Sequence, residues 1–389
     1  MRGHVTYDVI DRMAMGTLYS AVVNYMKRGD TSAIQQYLMD AGIAGKGKNV
    51  VYFNYGRYAL YALFKERFAD KEIIFPGFIC PSIILAAVKA GVKPRFVDVS
   101  LEDFNLDVSL VSDEDIERTD ALFINHTFGV PADIEGIQAK IKDYRTYIIE
   151  DIAQALLAGY KGEYVGTLGE TVLVSMYKQT PNANGAILLS DFKIKEPVGG
   201  KISLGDFSRL LWLTSGPHDY LVKIIRQWKG LSWQPDELQQ EKVLRQPSLL
   251  SLSLFNALLP GLEDLIARKR IIATHYQRRA GESKYFIPQQ VVEGKEPSWF
   301  NFSVRLLPEI AHIRDALLVA LRRKGIFCDR LWHDSPVVID TFKEHLKGDY
   351  PSARLLARSV INLPIKANYQ ERDVDYLFDF IEKAIRRLI

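Results

Sequence analysis

Residues 147–154 read Tyr147-Ile148-Ile149-Glu150-Asp151-Ile152-Ala153-Gln154. An apolar run ends in two carboxylates, and an amide follows Asp151 three positions on. This is the pattern of a strand buried on both faces whose C-terminal end turns polar. The next apolar run repeats it: Val172-Leu173-Val174 leads to Ser175, and Tyr177-Lys178 follow. Toward the N-terminus, Ala121 to Asn125 is a further strand, closed by Asn125-His126-Thr127-Phe128-Gly129, with a helix over Ile134 to Lys142. Earlier still, strands at Val50–Phe53, Ile73–Phe75 and Arg95–Asp98 alternate with helices at Tyr58–Phe68 and Ser82–Ala90. Apolar strands alternating with helices predict an α/β fold, a mainly parallel sheet between helices. Ligands gather at the carboxyl ends of such strands, and the polar clusters fall there.

Composition narrows the function classes. The chain has 389 residues, 48% hydrophobic and 25% charged, the balance of a globular protein. Fifty basic residues against 47 acidic leave +3, no electrostatic case for nucleic acid. Cys80 and Cys328 are too few for a disulfide framework or a Cys-rich zinc site, so no metal is expected and a reducing, cytoplasmic setting fits. The longest apolar stretch, Ile73 to Val88, is broken by Pro76 and Pro81 and falls short of the ~20 residues of a membrane span. The N-terminus shows no signal-peptide core.

The expected organisation is a large domain over 1–259 and a small α+β domain over 260–389. The large domain includes an N-terminal helical segment and a helical insertion at 191–247. Three tryptophans in the insertion, Trp212, Trp228 and Trp233, suit packing over the domain or an oligomer interface better than a membrane surface. A long helical pattern from Leu249 to Tyr276 is challenged by Pro260, and a terminal helix is expected over Asp373 to Leu388.

Four strand-end features are informative together. Asp151 with Gln154, Ser175 with Lys178, the turn Asn54-Tyr55-Gly56-Arg57-Tyr58, and His126 each have an ordinary structural explanation alone. In combination they match what pyridoxal 5'-phosphate (PLP) requires: an amine for a Schiff base, a carboxylate for the pyridine nitrogen, and donors around the phosphate. Gly56-Arg57 opening a helix, and Ser175, supply phosphate donors.

These residues resemble the DegT–DnrJ–StrS family of PLP-dependent sugar aminotransferases, which have the fold type I large and small domains with a seven-stranded sheet. The resemblance runs from about residue 50 to the C-terminus. It is carried by Ile149-Glu150-Asp151-Ile152-Ala153-Gln154-Ala155, Val174-Ser175-Met176-Tyr177-Lys178 and His126-Thr127-Phe128-Gly129-Val130-Pro131. Tyr350-Pro351-Ser352-Ala353-Arg354 and Ile361-Asn362-Leu363-Pro364-Ile365 extend it into the small domain. It implies that Lys178 binds PLP covalently and moves protons, Asp151 pairs with the pyridine nitrogen, and Gln154 bonds the phenolic oxygen. Ser175 and the Gly56-Arg57 backbone hold the phosphate, and His126 lies near the ring.

Three departures stand out. The position of the family's ring-stacking aromatic is Cys80, with Phe78 the nearest aromatic. The Gly-rich loop after the lysine is Asn182-Ala183-Asn184-Gly185-Ala186. The asparagine that reaches a neighbouring subunit's phosphate is missing from Leu244-Arg245-Gln246-Pro247-Ser248, where Arg245 offers a cation instead.

The resemblance implies an aminotransferase that takes nitrogen from an amino acid such as glutamate and delivers it to a nucleotide-linked keto-sugar. It also implies a homodimer with shared active sites. Arg245, Arg330 and His333 are the candidate substrate contacts, alongside Arg57, with Trp332 offering a base or sugar a flat apolar face. Two alternatives are an elimination or deoxygenation, against which Lys178 argues, and a non-catalytic PLP- or sugar-binding regulator on the same scaffold.

Overall fold

The computed structural model describes residues 31–45, 47–201, 204–213 and 244–389, together with Gly16, Thr17, Tyr19, Ala21 and Val23. Trp228, Trp233 and most of the expected insertion lie outside the described residues, as does most of the expected N-terminal helical segment.

Seven strands build the main sheet: β1 (Asn49–Phe53), β2 (Glu72–Pro76), β3 (Lys93–Val97), β4 (Ala121–Asn125), β5 (Tyr147–Asp151), β8 (Thr171–Ser175) and β9 (Ala186–Ser190). Between β5 and β8 lie the short β6 (Gly159–Tyr160) and β7 (Glu163–Tyr164). The order is β1-β9-β8-β5-β4-β2-β3. Pairing is parallel except where β9 meets β1 and β8, so β9 alone runs against the rest. The alternation read from the sequence stops at β8, and β9 is a strand that reading did not include. Its Ala-Ile-Leu-Leu-Ser run follows a connection over residues 176–185 that holds no helix, which suits an antiparallel return rather than a crossover.

Strand periodicity assigns the two faces. Phe123, Ile149, Leu173 and Leu188 enter one core with the helices Gly56–Arg67 and Pro81–Lys89. Leu122, Ile124 and Ile148 point the other way, toward the helices Asp113–Arg118 and Ile134–Ile141. Val172, Val174, Ile187 and Leu189 also take that second face, beneath the helices Ser32–Asp40 and Leu249–Leu258. The same alternation carries Asn125 and Asp151 onto the first face at the strand ends. Asn125 is in register with Asp151, and Asp151 with Leu173.

Pro260 breaks the expected long helix into Leu249–Leu258, one 3₁₀ turn and Leu262–Gly281, because proline removes a backbone donor and crowds the preceding turn. The 249–281 stretch is the one span among the described residues long and apolar enough to cross a bilayer, with a window of mean hydropathy 1.4. Here it is a core element: Leu252, Phe255, Leu262 and Ile266 pack beneath the main sheet, and Ile272 and Tyr276 join the second core.

That second core surrounds a three-stranded antiparallel sheet, β10 (Phe286–Pro288), β12 (Phe302–Leu306) and β13 (Val360–Leu363), with helices Arg314–Arg323 and Glu371–Ile385. The short β11 (Lys295–Glu296) instead pairs with β6. Part of the chain between 332 and 356 leaves the small sheet's core. Trp332, Val337, Tyr350 and Leu356 pack into the core of the main sheet. Ser335 fixes the join: its hydroxyl donates to the Gly77 carbonyl at 2.6 Å and accepts the Ile79 N–H at 3.2 Å.

Candidate active site

At the carboxyl ends of β4, β5 and β8 the sheet opens into a cleft. Of the residues singled out from sequence, Gly56, Arg57, Cys80, His126, Asp151, Gln154, Ser175 and Lys178 all line it. They come from five separate segments, and the parallel topology brings them together.

Asp151 closes β5, buried, with its Oδ1 accepting the Ala153 N–H at 2.8 Å. Burial pushes its carboxyl up to about 6, against smaller opposing pulls from that N–H, His126 and Lys178. A carboxylate left so short of donors calls for a cation in the cleft. Lys178 is half-buried, its Nζ 5.7 Å from the Tyr177 ring centre and 5.4 Å from that of Phe300. Gln154 Oε1 accepts the Phe128 N–H at 3.1 Å, which leaves its NH₂ as the end available to a phenolic oxygen.

The helix Gly56–Arg67 begins at the cleft with no side chain capping its first turn. Such an end offers backbone N–H groups and a positive dipole to an anion. The guanidinium of Arg57 lies 4.5 Å from the Tyr55 ring centre and 5.0 Å from that of Tyr58. Gly185 ties this turn to the strand after the lysine, its N–H donating to the Asn54 carbonyl at 2.7 Å. At φ 122° a side chain is strained there, and a Cβ would meet Met176 Sδ at 2.6 Å. The altered loop 182–186 therefore keeps its glycine where the backbone needs one.

His126 is buried with both ring nitrogens engaged. Nδ1 accepts the Ala132 N–H at 2.9 Å, so Nε2 carries the proton and donates to Glu150 Oε1 at 3.0 Å. Glu150 also accepts from the backbones of Gly166, Leu168 and Gly169 at 2.7, 3.0 and 2.8 Å. Desolvation works against this buried charge, yet His126 and the backbone donors hold the carboxyl below its ordinary 4.5. His126 is thus a fixed wall of the cleft, with no ring nitrogen left to exchange protons with a ligand. Glu150→Gln should destabilise the fold by about 3 kcal/mol, since an amide NH₂ would face backbone donors. Denaturant melts of the two proteins check this. Because the folded carboxyl is depressed, the contribution is full above pH 4.5 and drains away as the pH falls further.

Four expected residues lie elsewhere. Phe78 is fully buried behind the wall, 5.4 Å from the Trp332 ring and 6.0 Å from that of Phe128, and it is Cys80 that lines the cleft. Burial raises the Cys80 thiol, which contacts Ser82 Oγ at 3.1 Å. Arg330 is held by Asp315 on the helix Arg314–Arg323. His333 turns inward, its Nδ1 donating to the Arg330 carbonyl at 3.1 Å, and burial lowers it to about 4. Arg245 reaches the site only through its backbone, its carbonyl accepting the Asn54 N–H at 2.9 Å. The loop sends in Trp332 instead, at φ 61°. The sequence reading did not assign Tyr55, Asn125 or Tyr177 to the site, yet all three line it, and Trp332, offered there as a flat face for the substrate, lines it too. Asn125 had a usable signal, the terminal position of a strand beside that of Asp151.

The donor set fits PLP: a buried carboxylate awaiting a cation, an amine, an amide NH₂ and an uncapped helix end share one cleft. The family model of the DegT/DnrJ/EryC1/StrS aminotransferases matches residues 45–196 and 250–382. A dTDP-3-amino-3,6-dideoxy-alpha-D-galactopyranose transaminase from Aneurinibacillus thermoaerophilus is 25% identical over 316 residues, spanning 80% of this chain and 78% of that protein. The structure of Helicobacter pylori PseC, an aminotransferase of pseudoaminic acid biosynthesis, superposes with a TM-score of 0.75 at 15% identity, covering 98% of this chain and 100% of that one. An E. coli GDP-4-keto-6-deoxy-D-mannose-3-dehydratase with bound hydrated PLP gives 0.72 at 19% identity, over 97% and 100%. With the family model covering most of its length and the expected groups meeting at one set of strand ends, this chain belongs to the DegT/DnrJ/EryC1/StrS family of PLP-dependent aminotransferases.

Proposed function

We propose that this enzyme moves an amino group from an amino acid such as glutamate to a keto-sugar carried on a nucleotide, with Lys178 as the covalent anchor of PLP. The observation that carries this reading is the meeting of Lys178 and Asp151 in one cleft. PLP, when bound, supplies the electron sink that makes the substrate's C–H bond acidic. Asp151 Oδ keeps the pyridine nitrogen protonated, and Gln154 bonds the phenolic oxygen. Ser175 Oγ and the backbone of Gly56 and Arg57 hold the phosphate. Lys178 Nζ takes and returns the proton at the reacting carbon. The presence of Lys178 in the cleft favours transamination over the dehydration named for some relatives.

For the nucleotide diphosphate, Arg57 is the arginine that lines the cleft among the described residues. Arg245 is kept as a contact across a subunit boundary, and Arg330 and His333 become supports of the Trp332 loop, since neither lines the cleft. A homodimer, a domain division near residue 260 and a cytoplasmic setting complete the proposal. Exposed Val198 and Leu204 within the insertion and Leu249 just after it support the first, and the free thiols of Cys80 and Cys328 suit the last. The experiment is to load the protein with PLP, add glutamate and follow conversion to the pyridoxamine form. Nucleotide-linked 3-keto and 4-keto sugars are then supplied, and the same preparation is run in sedimentation. Glutamate turnover followed by amination of a keto-sugar, in a dimer, is the expected result. Conversion with no sugar accepted removes the substrate assignment.

A further inference from the structure

Asn125 ends β4, is 5% exposed and lines the cleft. Its amide is oriented by a chain of donors. Nδ2 donates to Thr127 Oγ1 at 2.7 Å, and that hydroxyl donates in turn to the Phe104 carbonyl at 3.1 Å. With the NH₂ end so engaged, Oδ1 is the end left over. It is buried and has no hydrogen-bond partner among the described residues. Asn301 and Gln179 also hold unpartnered amide atoms, but neither lines the cleft.

Residues in register on adjacent parallel strands sit about 4.8 Å apart with side chains on the same face. Asn125 is in register with Asp151, so its acceptor belongs to the same side of the sheet as the carboxylate. An acceptor buried without a donor costs free energy in the protein by itself, and the cost is recovered when a donor arrives. Among the atoms of PLP, the one edge that brings an N–H to a carboxylate at the floor of this cleft is the pyridine nitrogen.

We infer that Asn125 is a cofactor-binding residue, its Oδ1 sharing the pyridine N–H with the Asp151 carboxylate. This rests on the assignment of PLP to the cleft with Lys178 as anchor. Two acceptors around one N–H hold the proton on the ring more firmly than one does. They also set the tilt of the ring edge, since the N–H must point between them.

Asn125→Leu tests it, because leucine keeps the side-chain shape and removes the acceptor. Thr127 keeps its own donation to Phe104, so no buried donor is stranded. Two readouts are taken beside the parent protein: the melting temperature without cofactor, and PLP affinity by absorbance titration of the dialysed protein. The expected result is an unchanged or raised melting temperature without PLP and roughly tenfold weaker PLP binding. Asn125→Asp restores an oxygen acceptor of the same shape, and above pH 7 it is expected to bind PLP within about threefold of the parent. A lowered melting temperature in the cofactor-free Leu variant, or unchanged PLP affinity, overturns the inference, as does an Asp variant that binds no better than Leu. If the parent itself takes no PLP onto Lys178, the cofactor-site assignment fails first. If the parent does so and the Leu variant matches it, only the role of Asn125 fails.

Discussion

Lys178→Ala is expected to lower the transamination rate by roughly 10³-fold or more while leaving the fold intact. The upper part of the range for positioned acid–base groups, about 10²–10⁴, applies because the same amine is also the proposed covalent anchor. Lys178 follows β8 through Ser175, Met176 and Tyr177, and the sheet delivers its amine into the cleft that Asp151 floors. Its Nζ lies 5.7 Å from the Tyr177 ring centre and 5.4 Å from that of Phe300, contacts whose loss costs little stability. Borohydride reduction of the parent protein with PLP should leave the pyridoxyl group on a peptide containing Lys178, and the variant should carry none. Lys178→Arg keeps the charge without a nucleophilic amine and should be as inactive as alanine. Label on another lysine, or a variant within tenfold of the parent, removes Lys178 from the chemistry.

The second large effect is at Asp151. Asp151→Asn keeps the shape and the bond from the Ala153 N–H but loses the charge proposed to hold a proton on the pyridine ring. Removing one preorganised electrostatic partner from a water-poor site costs about 10²–10³ in rate. The change also has a signature in stability. In the cofactor-free fold the carboxyl is raised from 3.8 to about 6, so its protonated form is favoured by folding. For a raised acid that contribution is full below pH 3.8 and is lost as the pH climbs through about 6. Above that pH the asparagine variant, always neutral, should be more stable without cofactor by on the order of 2 kcal/mol. PLP reverses the preference, because its protonated nitrogen needs the carboxylate. Parent affinity for PLP should therefore weaken as the pH falls below about 6, and the variant should show no such step. A variant with parental rate and an unchanged melting curve would leave Asp151 as a mere turn residue.

Most of the strand and helix alternation was legible in the chain, for a local reason. Apolar runs such as Ala121–Asn125 and Tyr147–Asp151 have strand length, end in polar residues and are separated by helical spacing. The cleft-lining positions of Asp151, Gln154, Ser175 and Lys178 were legible as well, because each sits at or just past a strand end and strand ends are where this architecture gathers ligands. Strand β9 was not, since Ala186-Ile187-Leu188-Leu189-Ser190 has the composition of any short apolar run, and only its antiparallel pairing with β1 and β8 makes it part of the sheet.

Choices between neighbouring residues needed three dimensions. Phe78 and Cys80 are two positions apart and equally plausible as a chain. The packing of Phe78 against Phe128 and Trp332 removes it from the cleft and leaves the thiol facing in. Arg330 and His333 looked free to meet a substrate, but a carboxylate on the adjoining helix and a backbone carbonyl had already taken them. Asn125 became part of the site through its register with Asp151, a pairing between segments 26 positions apart. The sequence by itself determined which chemical groups are present and, through local periodicity, which backbone elements carry them. Tertiary structure alone decided which of those groups face the same space, because side-chain direction and partner competition depend on contacts between residues far apart along the chain.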